Sequence, residues 1–150
     1  MADFQIDAIS PEDTELLAEL YNRVFQPPRP AEDFDRRFLG RHNPLVMLAT
    51  YEGQAVGFSV GFELKPDVFF EWLYGVLPDY RRAGAGSQLM EASRAWATEH
   101  HYAWTRLECH NQHRPMLHLA IHQGYDITGI RWDPDRQANL VIFERDLTGG

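Results

Sequence analysis

Lysine is almost missing: Lys65 stands alone beside 13 arginines in a chain of 150 residues. GC-rich coding produces that bias as readily as chemistry does, so it carries no functional weight by itself. Cysteine is too scarce for an internal disulfide, because Cys109 has no second thiol to pair with, as expected in a reducing cytoplasm. The longest apolar run, Leu45 to Ala49, falls far short of a membrane span. Asp3 and Asp7 lie where a signal peptide would carry basic charge, so the expected location is cytoplasmic. Positive charge is short overall. The net charge of −8 argues against a nucleic-acid partner, since phosphate backbones need a basic surface, and it favours a cationic or neutral ligand. No repeat, low-complexity tract or linker divides the chain, so one domain over residues 1–150 is expected.

What is present reads as alternating strands and helices. Phe4 to Ile9 alternates apolar and polar residues as a strand does. Ser10 is placed as an N-cap, with Pro11 at the first helical position and Asp13 completing a capping box. Leu16, Leu17, Leu20, Tyr21 and Val24 share the apolar face of that helix, and Gln26 to Pro30 ends it. Ala31 to Leu39 forms a short second helix around Phe34 and Phe38. Leu45 to Tyr51 and Gln54 to Leu64 make a hairpin about Glu52-Gly53. In its second arm Val56, Phe58, Val60 and Phe62 point one way, while Gly57, Ser59 and Gly61 leave room on the other. Val68 to Leu77 is nearly all apolar and aromatic, as a strand covered on both faces would be. A helix from the following loop to about His100, a strand from Trp104 to Cys109, a helix over Arg114 to Gln123 with Gly124 at C′, and a last antiparallel pair complete the order β-α-α-β-β-β-α-β-α-β-β. The expected fold class is mixed α/β (α+β), a central sheet flanked by helices.

The chemistry concentrates in the loop from Asp79 to Ser87. Gly84 and Gly86 let the backbone turn and approach a ligand without a Cβ in the way. The chain then enters a helix N-terminus, whose first N–H groups lack internal partners and whose dipole is positive. Such an end cradles a pyrophosphate, and Arg81 and Arg82 add charge-assisted donors. The loop lacks the Gly-Lys-Ser/Thr of a P-loop, and Leu89 stands where a dinucleotide fingerprint needs its third glycine.

Loop and flanks together resemble the GNAT family of N-acetyltransferases. Its Gln/Arg-x-x-Gly-x-Gly/Ala loop for the coenzyme A pyrophosphate is matched by Arg81-Arg82-Ala83-Gly84-Ala85-Gly86. The preceding Val-x-Pro is matched by Val76-Leu77-Pro78, the following aromatic and arginine by Tyr80 and Arg81, and the family's later helix and Gly-Phe/Tyr by Met116 and Gly124-Tyr125. The resemblance covers essentially the whole chain and implies a GNAT-like sheet of about seven strands with about four helices. It implies acetyl-CoA as co-substrate, bound by Gly75, Val76, the loop from Arg81 to Ser87, Asn111 and Met116. Pantetheine would lie in a gap between the strands ending at Val76 and Cys109, with a backbone N–H near Val76 as oxyanion donor. A small-molecule or peptide amine would attack the thioester directly, and edge strands near the C-terminus suit a homodimer.

Two departures concern the proton path. Many members of the family carry a tyrosine four residues before the closing glycine, where this chain has Ala120, and the family's asparagine is His113. His113 is therefore the candidate proton donor, the alternative being that it only lines the groove. A carboxylate base would fall at Phe70, six residues before the valine. Glu71 is one residue off and reaches that face only if a bulge shifts it, and water is the other proton acceptor. Loss of activity in a CoA-binding module of the same fold is the second reading. His118 and His122, spaced for a ligand pair, suggest a metal, but Leu117, Ala120 and Ile121 as the apolar face turn them to solvent. Cys109, Trp72 and Tyr74 read as packing, the alternative for Trp72 being that it faces the acceptor groove, and Asp133, Asp135 and Glu144 read as solvated turn and edge charges.

Overall fold

The computed structural model describes residues 3–149. Strand β1 (Gln5–Ile9) leads to helices α1 (Thr14–Val24) and α2 (Ala31–Phe38), and then to the meander β2 (Leu45–Tyr51), β3 (Gln54–Lys65) and β4 (Val68–Val76). A 3₁₀ turn over Pro78–Tyr80 precedes α3 (Ala85–Glu99), followed by β5 (Trp104–His110), α4 (Arg114–His122), β6 (Asp126–Asp133) and β7 (Ala138–Asp146). The strands form one seven-stranded sheet in the order β1-β2-β3-β4-β5-β7-β6. Every neighbouring pair is antiparallel except β4 and β5, which run parallel. The expected fold class and element order are those observed.

Helix α1 starts later than the Ser10 reading placed it. Asp13 is the N-cap, its carboxylate accepting from the Leu16 N–H at 3.4 Å, while Ser10 Oγ accepts from the Glu12 N–H in the turn before. The later start buries Thr14, whose hydroxyl donates to Asp35 at 2.7 Å and ties α1 to α2. One core lies between the sheet and α1–α2 around Leu17, Leu20, Tyr21, Phe34 and Phe58. The other lies on the opposite face, where Leu89, Met90 and Ala97 of α3 meet Phe69, Leu107 and Phe143.

Two bulges decide which side chains face which core. In β3, Ala49 pairs with Gly57 and Thr50 with Ala55, so Val56 is an extra residue. Val56 therefore leaves the face of Phe58 and Val60 and joins the α3 core, against expectation. The room beside the small residues is filled by protein: a Cβ on Gly57 would lie 3.4 Å from Leu89, and one on Gly61 would meet the Phe69 ring at 2.6 Å. In β4, Val60 pairs with Leu73 and Gly61 with Glu71, which leaves Trp72 extra.

Gly75 has a packing reason of its own. A Cβ there would come within 2.5 Å of the Phe58 ring. Gly75→Ala is expected to cost about 1–3 kcal/mol by overpacking. Denaturant midpoints check this, and the cost should shrink in a Phe58→Leu background, where the ring is gone.

Candidate functional site

Strands β4 and β5 pair only from Val68↔Trp104 to Glu71↔Leu107. Beyond that point they part, as the gap reading requires. A cavity of about 570 Å³ opens at the fork. Leu73 and Tyr74 line it from β4, Glu108, Cys109 and His110 from β5, and His113 and Met116 from α4. Tyr21, Phe25, Arg29 and Arg37 form one wall, and Arg131, Asp133, Asp135 and Arg136 the other.

The Trp72 bulge puts Glu71 and Tyr74, three residues apart, on the same face. In a regular strand they would face opposite ways. Tyr74 donates its hydroxyl hydrogen to one oxygen of Glu71, and Tyr125 donates to the other at 2.5 Å. Glu71 is only 2% exposed. Burial pushes its carboxyl up to about 7, and the two tyrosine hydroxyls offset part of that rise. A group poised there exchanges protons at neutral pH. Desolvation and the neighbouring Glu71 charge raise the Tyr74 and Tyr125 hydroxyls well above their ordinary values, so both stay protonated donors.

On the far side of the 3₁₀ turn the chain reverses through Arg82, at φ +64°, and Gly84, at φ +99°. Gly84 is the N-cap of α3 and offers no side chain to it, so the N–H groups of Ala85, Gly86 and Ser87 face outward without a cap. A Cβ on Gly86 would press on Leu119 at 3.3 Å, so this glycine also lets α3 approach α4. Arg81 does not simply project from the loop: its Nε–H donates to the Val76 carbonyl at 3.1 Å. Ala83 packs against the α3 core. His113 is the N-cap of α4 and lines the cavity; partial burial, then the charges of Arg81 and His110, lower its pKa. Met116 is half-buried beside it. Asn111 is exposed, its N–H bonded to the Asn139 carbonyl at 2.9 Å. Ala120 is fully buried, so no hydroxyl is offered at that position.

Other readings change. Asp133 is not merely a solvated turn charge: it accepts from His110 Nε2 at 3.0 Å and lines the cavity. Ile121 is 56% exposed and does not belong to the inner face of α4. Among the described residues no three His, Cys, Asp or Glu side chains are grouped to hold a metal. Cys109 is buried, which pushes its thiol up to about 11, so it is not a thiolate nucleophile at neutral pH. Sequence reasoning missed Glu108, which faces the cavity clamped between Arg106 at 2.9 Å and Arg131 at 3.0 Å. Its alternation with Leu107 and Cys109 was the available signal.

A sequence model described as the acetyltransferase (GNAT) family matches residues 14–125. The chain belongs to the GNAT acetyltransferase family. Solved GNAT structures carry the same fold. The ribosomal-protein-S18-alanine N-acetyltransferase from Escherichia coli is 19% identical, with a TM-score of 0.84 over 99% of this chain and 96% of that one. An N-acetyltransferase from Staphylococcus aureus is 17% identical, with a TM-score of 0.79 over 98% and 100%. A GNAT acetyltransferase from Elizabethkingia anophelis, solved with acetyl-CoA bound, is 17% identical, with a TM-score of 0.76 over 97% and 99%. No curated protein matches this GNAT chain in sequence.

Proposed function

We propose that this GNAT chain is an N-acetyltransferase that moves the acetyl group of acetyl-CoA to a primary amine by direct attack in a ternary complex. One observation carries the reading: the β4–β5 fork opens into a cavity, and the chain leaving β4 at that fork turns through Pro78–Tyr80 into the uncapped N-terminus of α3. The diphosphate sits on the N–H groups of residues 84–87, with Arg81 and Arg82 as cationic neighbours. Gly75, Val76, Asn111 and Met116 flank the pantetheine in the fork. The Arg81 bond to the Val76 carbonyl gives way as the coenzyme arm takes up that backbone.

The acceptor nitrogen attacks the thioester carbon, and the negative charge on its oxygen is held by a backbone N–H near Val76. The tetrahedral adduct collapses with cleavage of the C–S bond. Tyr74 accepts the amine proton while passing its own to Glu71, which leaves the tyrosine neutral and the carboxyl protonated. His113 donates a hydrogen bond to the departing sulfur. Its lowered pKa keeps it neutral near pH 7, so the thiolate takes its proton from water.

The buried Ala120 favours a second reading, a CoA-binding module without turnover. Thiol release from acetyl-CoA across a panel of primary amines, with calorimetry of CoA binding, separates the two. Release with any amine supports transfer; binding with release from none favours the module. His113→Ala is expected to lower kcat by about tenfold, the scale of one hydrogen bond to a charged group. An unchanged kcat would leave His113 as lining only.

A further inference from the structure

The wall of the cavity made by the α1–α2 connection and α2 carries a cluster of arginines, with Asp33 the acidic side chain lining the adjoining groove beside them. Arg37 lies with its guanidinium 4.3 Å from the centre of the Trp72 ring. Arg29 sits 5.5 Å from the same ring and 5.3 Å from that of Tyr21, and its Nε–H donates to the Tyr21 hydroxyl at 3.1 Å. Arg41 stacks on Phe62 next to them at 4.5 Å. Among the described residues none of these arginines makes an ion pair; all three ion pairs lie elsewhere, at Glu108 and Asp133. In a chain of net charge −8 with only 14 basic residues, this clustering on one cavity wall stands out from the overall balance.

Packing alone does not account for the arrangement. One arginine suffices to cover an indole face, and a second on the same ring adds like-charge repulsion. Desolvation, then Arg41 and Arg29, lower the Arg37 pKa, which is the direction crowding of cations imposes. The position of Arg29 is also held from behind: Asn22 accepts from its N–H at 2.7 Å and donates to its carbonyl at 3.0 Å. The aromatic contacts and the Tyr21 bond hold the two guanidinium groups in place, and among the described residues neither the Arg37 guanidinium nor the terminal N–H groups of Arg29 has a hydrogen-bond partner, so both can receive a carboxylate or phosphate. Arg29 and Arg37 both line the cavity at the β4–β5 fork.

We infer that the acceptor is a small primary amine that also carries an anionic group, a carboxylate or a phosphate, received by Arg29 and Arg37. This rests on the acetyl-transfer reading of the same cavity and names its substrate class. Walls on both sides of the cavity suit a compact molecule, and Tyr21, Phe25 and Trp72 offer it apolar surface. The net negative charge, which favoured a cationic or neutral ligand, is a property of the whole surface and does not describe this wall.

The test compares matched pairs with acetyl-CoA: phenylalanine against phenylalaninamide, and phosphoethanolamine against ethanolamine. The anionic member of at least one pair is expected to show kcat/KM about 10- to 100-fold above its neutral partner, the range of charge-assisted hydrogen bonds. The pair that responds tells carboxylate from phosphate. In the Arg29→Gln/Arg37→Gln double variant the preference should collapse through a raised KM for the anionic amine, with the KM for acetyl-CoA unchanged. Calorimetry in the presence of CoA adds a readout that needs no turnover: N-acetylphenylalanine or N-acetylphosphoethanolamine should bind more tightly than its neutral counterpart, and lose that margin in the double variant. Neutral amines reacting as well as anionic ones would overturn the inference while leaving acetyl transfer standing. With no turnover on any amine, equal binding of charged and neutral products would overturn it as well. Absence of CoA binding is the separate result that would remove the acetyl-transfer reading.

Discussion

Gly84→Asp is expected to weaken acetyl-CoA binding by at least about 100-fold, close to 3 kcal/mol. Two effects add. At φ +99° the residue lies in the left-handed region, where any side chain costs about 1–3 kcal/mol of backbone strain or forces the turn to move. The new carboxylate would also stand at the N-cap of α3, against the diphosphate that the N–H groups of Ala85, Gly86 and Ser87 are to receive. Gly84→Ala separates the two, since it keeps the strain and omits the charge; its loss should be smaller. Isothermal calorimetry with CoA measures both variants, and circular dichroism verifies that each is folded. An affinity unchanged in Gly84→Asp would mean that the nucleotide binds elsewhere.

The second large effect belongs to Glu71, and it has opposite signs for activity and stability. A buried carboxyl with a folded pKa of about 7, against 4.5 for the free group, holds its proton more tightly in the native state. The native state therefore has its full advantage below about pH 4.5, loses it as the pH rises to 7, and is level above that. A difference of this size is worth about 3 kcal/mol. Glu71→Gln should flatten that slope, so urea midpoints at pH 5 and pH 8 should lie closer together than in the parent. Activity runs the other way. In the proposed mechanism the ionised carboxylate is the form that receives a proton through Tyr74, so kcat should climb through about pH 7. In Glu71→Gln it should drop by about 100-fold, the lower range of general-base catalysis, with the KM for acetyl-CoA unchanged. A variant that lost the stability slope yet kept its kcat would make Glu71 a structural acid and leave the amine proton to water.

Residues near one another in the chain were readable and residues brought together by pairing were not. The Gly-x-Gly bend, its arginines and the following helix lie within a few positions, and their behaviour follows from backbone dihedrals and unsatisfied N–H groups at a helix start. The face of Glu71 was different. Its side chain would have pointed away from the Val76 face had Trp72 not been squeezed out of register with β3. The extra residue, Trp72, packs against Phe34, a residue 38 positions earlier. Tyr125 reaches Glu71 across 54 positions, and no local pattern announces such a meeting. Asp133 reads as a turn charge from sequence for the same reason: its partner, His110, lies 23 positions back on β5, with β7 between their strands.

The sequence by itself determined the order of strands and helices and the glycine bend that leads into α3, because periodicity, caps and glycine dihedrals act over a turn or two of chain. Only the tertiary structure decided where β4 and β5 separate, which face Glu71 occupies, and that Arg29 and Arg37 converge on one indole. Those outcomes depend on burial and on strand register, which are settled between distant segments competing for the same core.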